Sequence, residues 1–155
     1  MASIDVQQSS FPAASKSKSG LTNNLPTTVS TVSFTDRLLI TISQCGKLSH
    51  WVHVPLATSA SSDPVSSGSL FQAGSSDPET ALLPRADLTA TTVLGGTKRE
   101  DEIVGQTLAA TLASAILVKR PKERRLLVMG LGLNRVEAIG RSEYEEIIGL
   151  ILDCL

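Results

Sequence analysis

From residue 28 onward, apolar and polar positions alternate with the two-residue period of β-strands, a texture missing from the preceding stretch. Residues 28–34 are β-branched and alternating, and Thr35-Asp36 suits a turn. Arg37–Gln44 sets Leu38, Ile40 and Ile42 on one face and Leu39, Thr41 and Ser43 on the other. Cys45-Gly46-Lys47 reads as a compact turn. Residues 48–56 read as the return strand, with His50, Val52 and Val54 opposed to Trp51 and His53. Connections this short predict an antiparallel meander. Residues 88–94 resume as a Thr-rich strand that stops at Gly95-Gly96.

The period then changes to that of a helix. Thr97 with Glu100 has the spacing of a capping box, and Glu100, Asp101 and Glu102 put negative charge at the helix's positive end. Ile103, Val104, Leu108, Leu112, Ala115 and Ile116 form its apolar stripe, and Pro121 ends it. Residues 125–133 form a strand apolar on both faces, Leu126 and Val128 against Leu127, Met129 and Leu131. Ser142 with Glu145 repeats the capping-box spacing before a second amphipathic helix runs to the end.

The order predicts an α+β fold: an antiparallel meander sheet, two amphipathic helices packed on one face, and the other face available for dimerisation. A strand apolar on both sides needs cover on both sides, and no third helix is available to supply it. That points to a second subunit, with ordinary strand-end burial or a folded-back N-terminus as the alternative. Thr41, Ser43, Trp51, His53, Met129 and Leu131 are accordingly candidate partner contacts.

Two segments fall outside the pattern. Residues 1–26 are rich in Ser, Thr, Asn and Lys and are read as mostly disordered, with room for a short strand. Residues 27–155 form one domain, interrupted at 57–87 by a Ser/Pro-rich insertion that contains Ser-Ser-Asp-Pro twice. A loop of that length inside a compact domain is functional or disordered. Leu70-Phe71 and Leu82-Leu83 are its apolar pairs, and Asp63, Asp77 and Arg85 are its candidate contact residues.

Composition narrows the function. A net charge of −1 argues against non-specific nucleic-acid binding. No uninterrupted apolar run approaches the roughly 18 residues of a spanning helix, and no membrane partner is expected. The first residues lack the basic and apolar regions of a signal peptide, and two cysteines are too few for a disulfide framework. These features lead us to expect an intracellular protein, placed in the cytoplasm with the nucleus open to it.

No catalytic, cofactor-binding or metal residue is assigned, and no enzyme activity is expected. Gly130-Leu131-Gly132 lacks the third glycine of a dinucleotide fingerprint, which falls on Arg135, and is better read as close backbone approach. Gly95-Gly96-Thr97-Lys98 lacks the upstream glycine of a phosphate loop. His50 and His53, three apart on a strand, point to opposite faces, a poor geometry for a shared metal that favours a structural or surface role. Cys45 has only His50 nearby in sequence, too little for an activated thiol. The basic run from Lys119 to Arg125 is the sharpest charge feature, read as a solvated connector, an acidic-partner contact or a nuclear signal.

The segment Phe34-Thr35-Asp36-Arg37-Leu38-Leu39-Ile40-Thr41-Ile42-Ser43-Gln44-Cys45-Gly46-Lys47-Leu48 resembles the two-strand segment of the proteasome assembly chaperone 3 family, where an aliphatic strand runs into a Gln-x-Gly-Lys turn. Thr91-Thr92-Val93-Leu94-Gly95-Gly96 is similar to the strand before that family's long helix. The apolar strand and the terminal helix follow in matching order. The resemblance implies a dimer, usually with a proteasome assembly chaperone 4-like subunit. It implies binding to the α5 subunit during assembly of the 20S α-ring, and release before maturation. The insertion and the strongly basic connector depart from the family pattern. A dimeric scaffold of the roadblock or trafficking-adaptor kind is the competing reading, and copurifying partners distinguish the two.

Overall fold

A computed structural model of the chain describes residues 13–57, 84–134 and 139–155. The elements are β1 (Ala14–Thr22), β2 (Leu25–Ser33), β3 (Arg37–Gln44), β4 (His50–Pro55), β5 (Thr91–Leu94), α1 (Arg99–Lys119), β6 (Leu126–Gly132) and α2 (Arg141–Cys154). The class is α+β, with a six-stranded mixed sheet and two helices.

Strand order is β1-β2-β3-β6-β4-β5. The meander expected from the short 45–49 connection therefore does not form: β6 inserts between β3 and β4, parallel to the first and antiparallel to the second. Residues 45–49 must span two strand spacings, about 10 Å at about 4.8 Å each, by crossing the end of β6. Glycine makes the crossing possible. A Cβ on Gly132 would meet the Lys47 carbonyl oxygen at 1.5 Å, so the link lies directly against bare backbone. Ser49 N–H then donates to Leu131 O at 2.8 Å and starts β4 in register. Cys45 and Gly46 turn the chain with φ of 57° and 71°, both left-handed.

β1 lies within the segment read as mostly disordered. It pairs along its whole length with β2 across a two-residue turn, in which Asn23 and Asn24 have φ of 48° and 62°. Its hydrophobic signal is missing because it is an edge strand. Lys16, Lys18 and Gly20 face α2, and Ser15, Ser17, Ser19 and the exposed Leu21 face the other way.

Both helices cover one face. Thr31 Oγ1 donates to Cys154 O of α2, and Gly20 packs under Leu150; His50 packs against Gly105 of α1. The strand registers place Thr31 with Ile40, Met129 and Val52, and His50 with Leu131, Ile42 and Val29. Those residues are nearly or fully buried and form the core with Leu108, Leu112, Ile116, Ile147 and Ile151. α1 is long and apolar enough by composition to cross a membrane, but more than half of it is buried on this sheet. Helix starts differ slightly from the capping-box reading: the N-caps are Lys98, one residue after Thr97, and Gly140, two residues before Ser142.

Gln44, the glutamine of the Gln-x-Gly-Lys turn, is 2% exposed. Its Nε2 donates to Thr22 Oγ1 at 3.1 Å and Thr27 Oγ1 at 3.2 Å, and reaches Glu143 Oε1 at 3.5 Å. Its Oε1 accepts the Asn134 N–H at 2.8 Å. One side chain thus ties the β1–β2 hairpin, the end of β3, the exit from β6 and the first turn of α2. A buried amide is tolerated only when satisfied in this way.

Candidate protein-interaction face

The alternation that buries Leu38, Ile40 and Ile42 turns Leu39, Thr41 and Ser43 to the opposite face. The same rule on β4 turns out Trp51 and His53, and on β6 it turns out Leu126, Val128 and Gly130. Register sets these side by side. Leu39, Val128 and His53 form one row across the three strands, and Thr41, Gly130 and Trp51 form the next. Val32 extends the first row on β2.

At the centre lies Trp51. A Cβ on Gly130 would stand 2.9 Å from indole carbons Cζ3 and Cη2, so the ring lies flat over the bare strand. Gly130 thereby fixes the indole as a shelf on the sheet, and no described element packs over its outer side. Beside it Val93 and Leu94 on the short edge strand β5 are 61% and 66% exposed. Leu39, Trp51, Leu126 and Val128 are half-buried with no described element packed over them. Toward β1 the face changes character: Ser17, Ser30 and Thr41, then Ser19, Thr28 and Ser43, form hydroxyl rows. The central strands carry no carboxylate, lysine or arginine on this side, apart from Arg37 at the rim, which pairs with Asp36 at 2.6 Å. Uncharged surface of this kind loses little solvation when covered, the condition for an interface core.

Of the predicted contact residues, the structure brings Thr41, Ser43, Trp51 and His53 together here. Met129 and Leu131 are corrected: they are 0% and 3% exposed on the helix-covered face and belong to the core. Arg85 lies elsewhere, pairing with Asp87 at 2.8 Å while its backbone N–H donates to Ser114 Oγ at 2.9 Å. Asp63, Asp77 and most of the 57–87 insertion lie outside the described residues. Leu39, Val128 and Gly130 are the contributors that the sequence reading passed over. Their signal was the register itself, since each lies one residue from a chosen or core position.

The titratable groups near the sheet are structural. His50 is 5% exposed, its Nε2 lies 3.1 Å from Thr92 Oγ1, and burial holds its imidazole below the usual range against the opposing pull of Asp101 and Glu102. Gly96 and Gly105 wall it in, as a Cβ on either would come within 2.7 Å of the ring. A hollow of about 250 Å³ opens between the helices, with mainly apolar walls including Ile103, Val104 and Tyr144. The Tyr144 hydroxyl there is already engaged by Thr111 Oγ1 at 2.6 Å and Thr107 O at 3.2 Å. Among the described residues no group of three His, Cys, Asp or Glu side chains is placed to hold a metal.

No family model matches the chain, and no curated protein matches it. Solved structures do. One is a chain from the crystal structure of a chaperone complex for yeast 20S proteasome assembly, at 17% identity and a TM-score of 0.54. The match covers 91% of this chain and 98% of that one. The described residues therefore share the fold of that chain. At this identity the likeness concerns architecture.

Proposed function

We propose that the chain is a non-enzymatic chaperone subunit of 20S proteasome assembly that works as a dimer through its open sheet face. The observation that carries the reading is the uncharged patch around Trp51, over which no described element packs, on a fold shared with a chain of a yeast proteasome-assembly chaperone complex. A second sheet laid face to face over Leu39, Val128 and Trp51 gives those half-buried side chains the cover that no described element supplies. Dimerisation would present a composite surface to a proteasome subunit. Transient binding would hold that subunit while its neighbours add, and incoming subunits competing for the same surface would release it. The resemblance around Gln44-Cys45-Gly46-Lys47 favours the third chaperone family. It makes a fourth-chaperone-like subunit the natural partner and α5 the natural client, in the cytoplasm or nucleus. Coexpression with those two proteins followed by size-exclusion chromatography tests this. Co-elution supports the reading. Recovery instead of GTPase or membrane-adaptor subunits favours the scaffold alternative.

A further inference from the structure

The basic run from Lys119 to Arg125 is not used by the sheet face, and the fold gathers further charge around it. α1 and α2 run in the same direction, so their C-terminal ends meet at the end of the sheet where β1 and β6 begin. Arg120 Nη2 and Lys16 Nζ, from α1 and β1, reach the same Leu155 oxygen at 2.6 and 3.2 Å, and Lys119 Nζ donates to Leu152 O at 3.2 Å. Glu123 is taken by Arg125 at 2.6 Å, and Asp153 by Lys18 at 2.5 Å. That leaves Lys122 and Arg124 exposed on the connector without a carboxylate partner among the described residues. The opposite end carries Glu100, Asp101 and Glu102 at the start of α1 and Glu143, Glu145 and Glu146 at the start of α2, offset in part by Lys98, Arg99 and Arg141. In a chain with net charge −1, the excess of cations is therefore gathered at the end where β1 and β6 begin.

We propose that this basic end, centred on Lys122 and Arg124 and backed by Lys16, Lys119 and Arg120, is a second docking surface that takes an acidic, carboxylate-rich segment of a partner protein. Charge complementarity selects the occupant. Lys122 and Arg124 are exposed on a short connector, and the cations behind them come from two other elements, so the charge is compact. A short row of Glu and Asp side chains matches that extent. A nucleic acid needs a longer positive track than these residues provide. The surface is separate from the sheet face and does not depend on the dimer reading.

The test is fluorescence anisotropy of the full chain with a labelled Glu-rich peptide at low salt, a single-stranded oligonucleotide of equal charge being the competitor. The peptide is expected to bind with an affinity that falls as salt rises. The double variant K122E/R124E should weaken it roughly tenfold, as the sum of lost and reversed surface pairs. K122Q/R124Q should fall between it and the natural chain, and Gly149→Ala on the open surface of α2 should bind the peptide as the natural chain does. Both connector residues are exposed, so circular dichroism of the variants should match the natural chain. No peptide binding, equal binding by K122E/R124E, or an oligonucleotide that outcompetes the peptide would each overturn the proposal.

Discussion

Replacing Gln44 by leucine removes the one side chain that joins four elements, and the structure sets the size of the effect. The variant loses donors to Thr22 and Thr27 and the acceptor for Asn134 N–H. Thr22 and Thr27 still bond each other, and Thr27 keeps Leu25 O at 3.2 Å, so neither hydroxyl is orphaned. Three lost hydrogen bonds at about 1 kcal/mol each give about 3 kcal/mol. Glu143, 8% exposed, also loses a donor and keeps Asn23 Nδ2 at 3.5 Å. In urea, a denaturant slope of about 1.5 kcal/mol/M turns 3 kcal/mol into a midpoint lowered by about 2 M, with the slope unchanged. Gln44→Glu keeps the size but sets a second carboxylate beside Glu143. Its folded-state pKa rises above the unfolded value, so stability lost at neutral pH should return as the pH falls. A Gln44→Leu midpoint within about 0.5 kcal/mol of the natural chain would refute the reasoning.

Other positions give independent checks. Gly132→Ala forces the crossing link off β6 because of the 1.5 Å approach to Lys47 O, and should cost about 3 kcal/mol or more by thermal melt; Gly149→Ala, with nothing within 4 Å on α2, should stabilise by about 0.5–1 kcal/mol. Arg125 holds the Glu123 carboxyl down to about 2, below its ordinary 4.5. Its contribution is present above the ordinary value and should be lost between about pH 4.5 and 2, a loss that a pH series of urea melts should show reduced in Glu123→Gln. Burial depresses the His50 pKa, so stability should also fall as the pH drops below the unfolded value of about 6.5, and an NMR titration should show the His50 ring titrating below that value.

How much of this was legible in the sequence depends on where two-residue alternation carries information. On β3 it does: Leu38, Ile40 and Ile42 are core, and Leu39, Thr41 and Ser43 are not. On β6 both faces are apolar, so alternation separates the faces without saying which one the helices cover, and Met129 and Leu131 were placed on the wrong side. On β1 the helix-facing positions are Lys16, Lys18 and Gly20, which use long stems or no side chain to meet α2, so no apolar period exists to be read. The Asn23-Asn24 pair was the readable sign of that hairpin. Strand order was beyond local pattern, because β6 reaches its place by non-local pairing; its trace in the sequence is Gly132, which makes room for the link that crosses it. The glycines at 130 and 132 do mark close approach, to the Trp51 ring and to the Lys47 carbonyl.

The most direct test of the account compares the natural chain with Leu39→Lys by analytical ultracentrifugation, each alone and coexpressed with a fourth-chaperone-like subunit. Leu39 is half-buried on the open face and makes no core contact, so the variant should fold with an unchanged circular dichroism spectrum. The account predicts a dimer of the natural chain, with itself or with that subunit. It predicts a monomeric variant, since an unpaired ammonium at the centre of an apolar interface costs several kcal/mol. A Leu39→Lys chain that still dimerises, or a natural chain monomeric under both conditions, would contradict it.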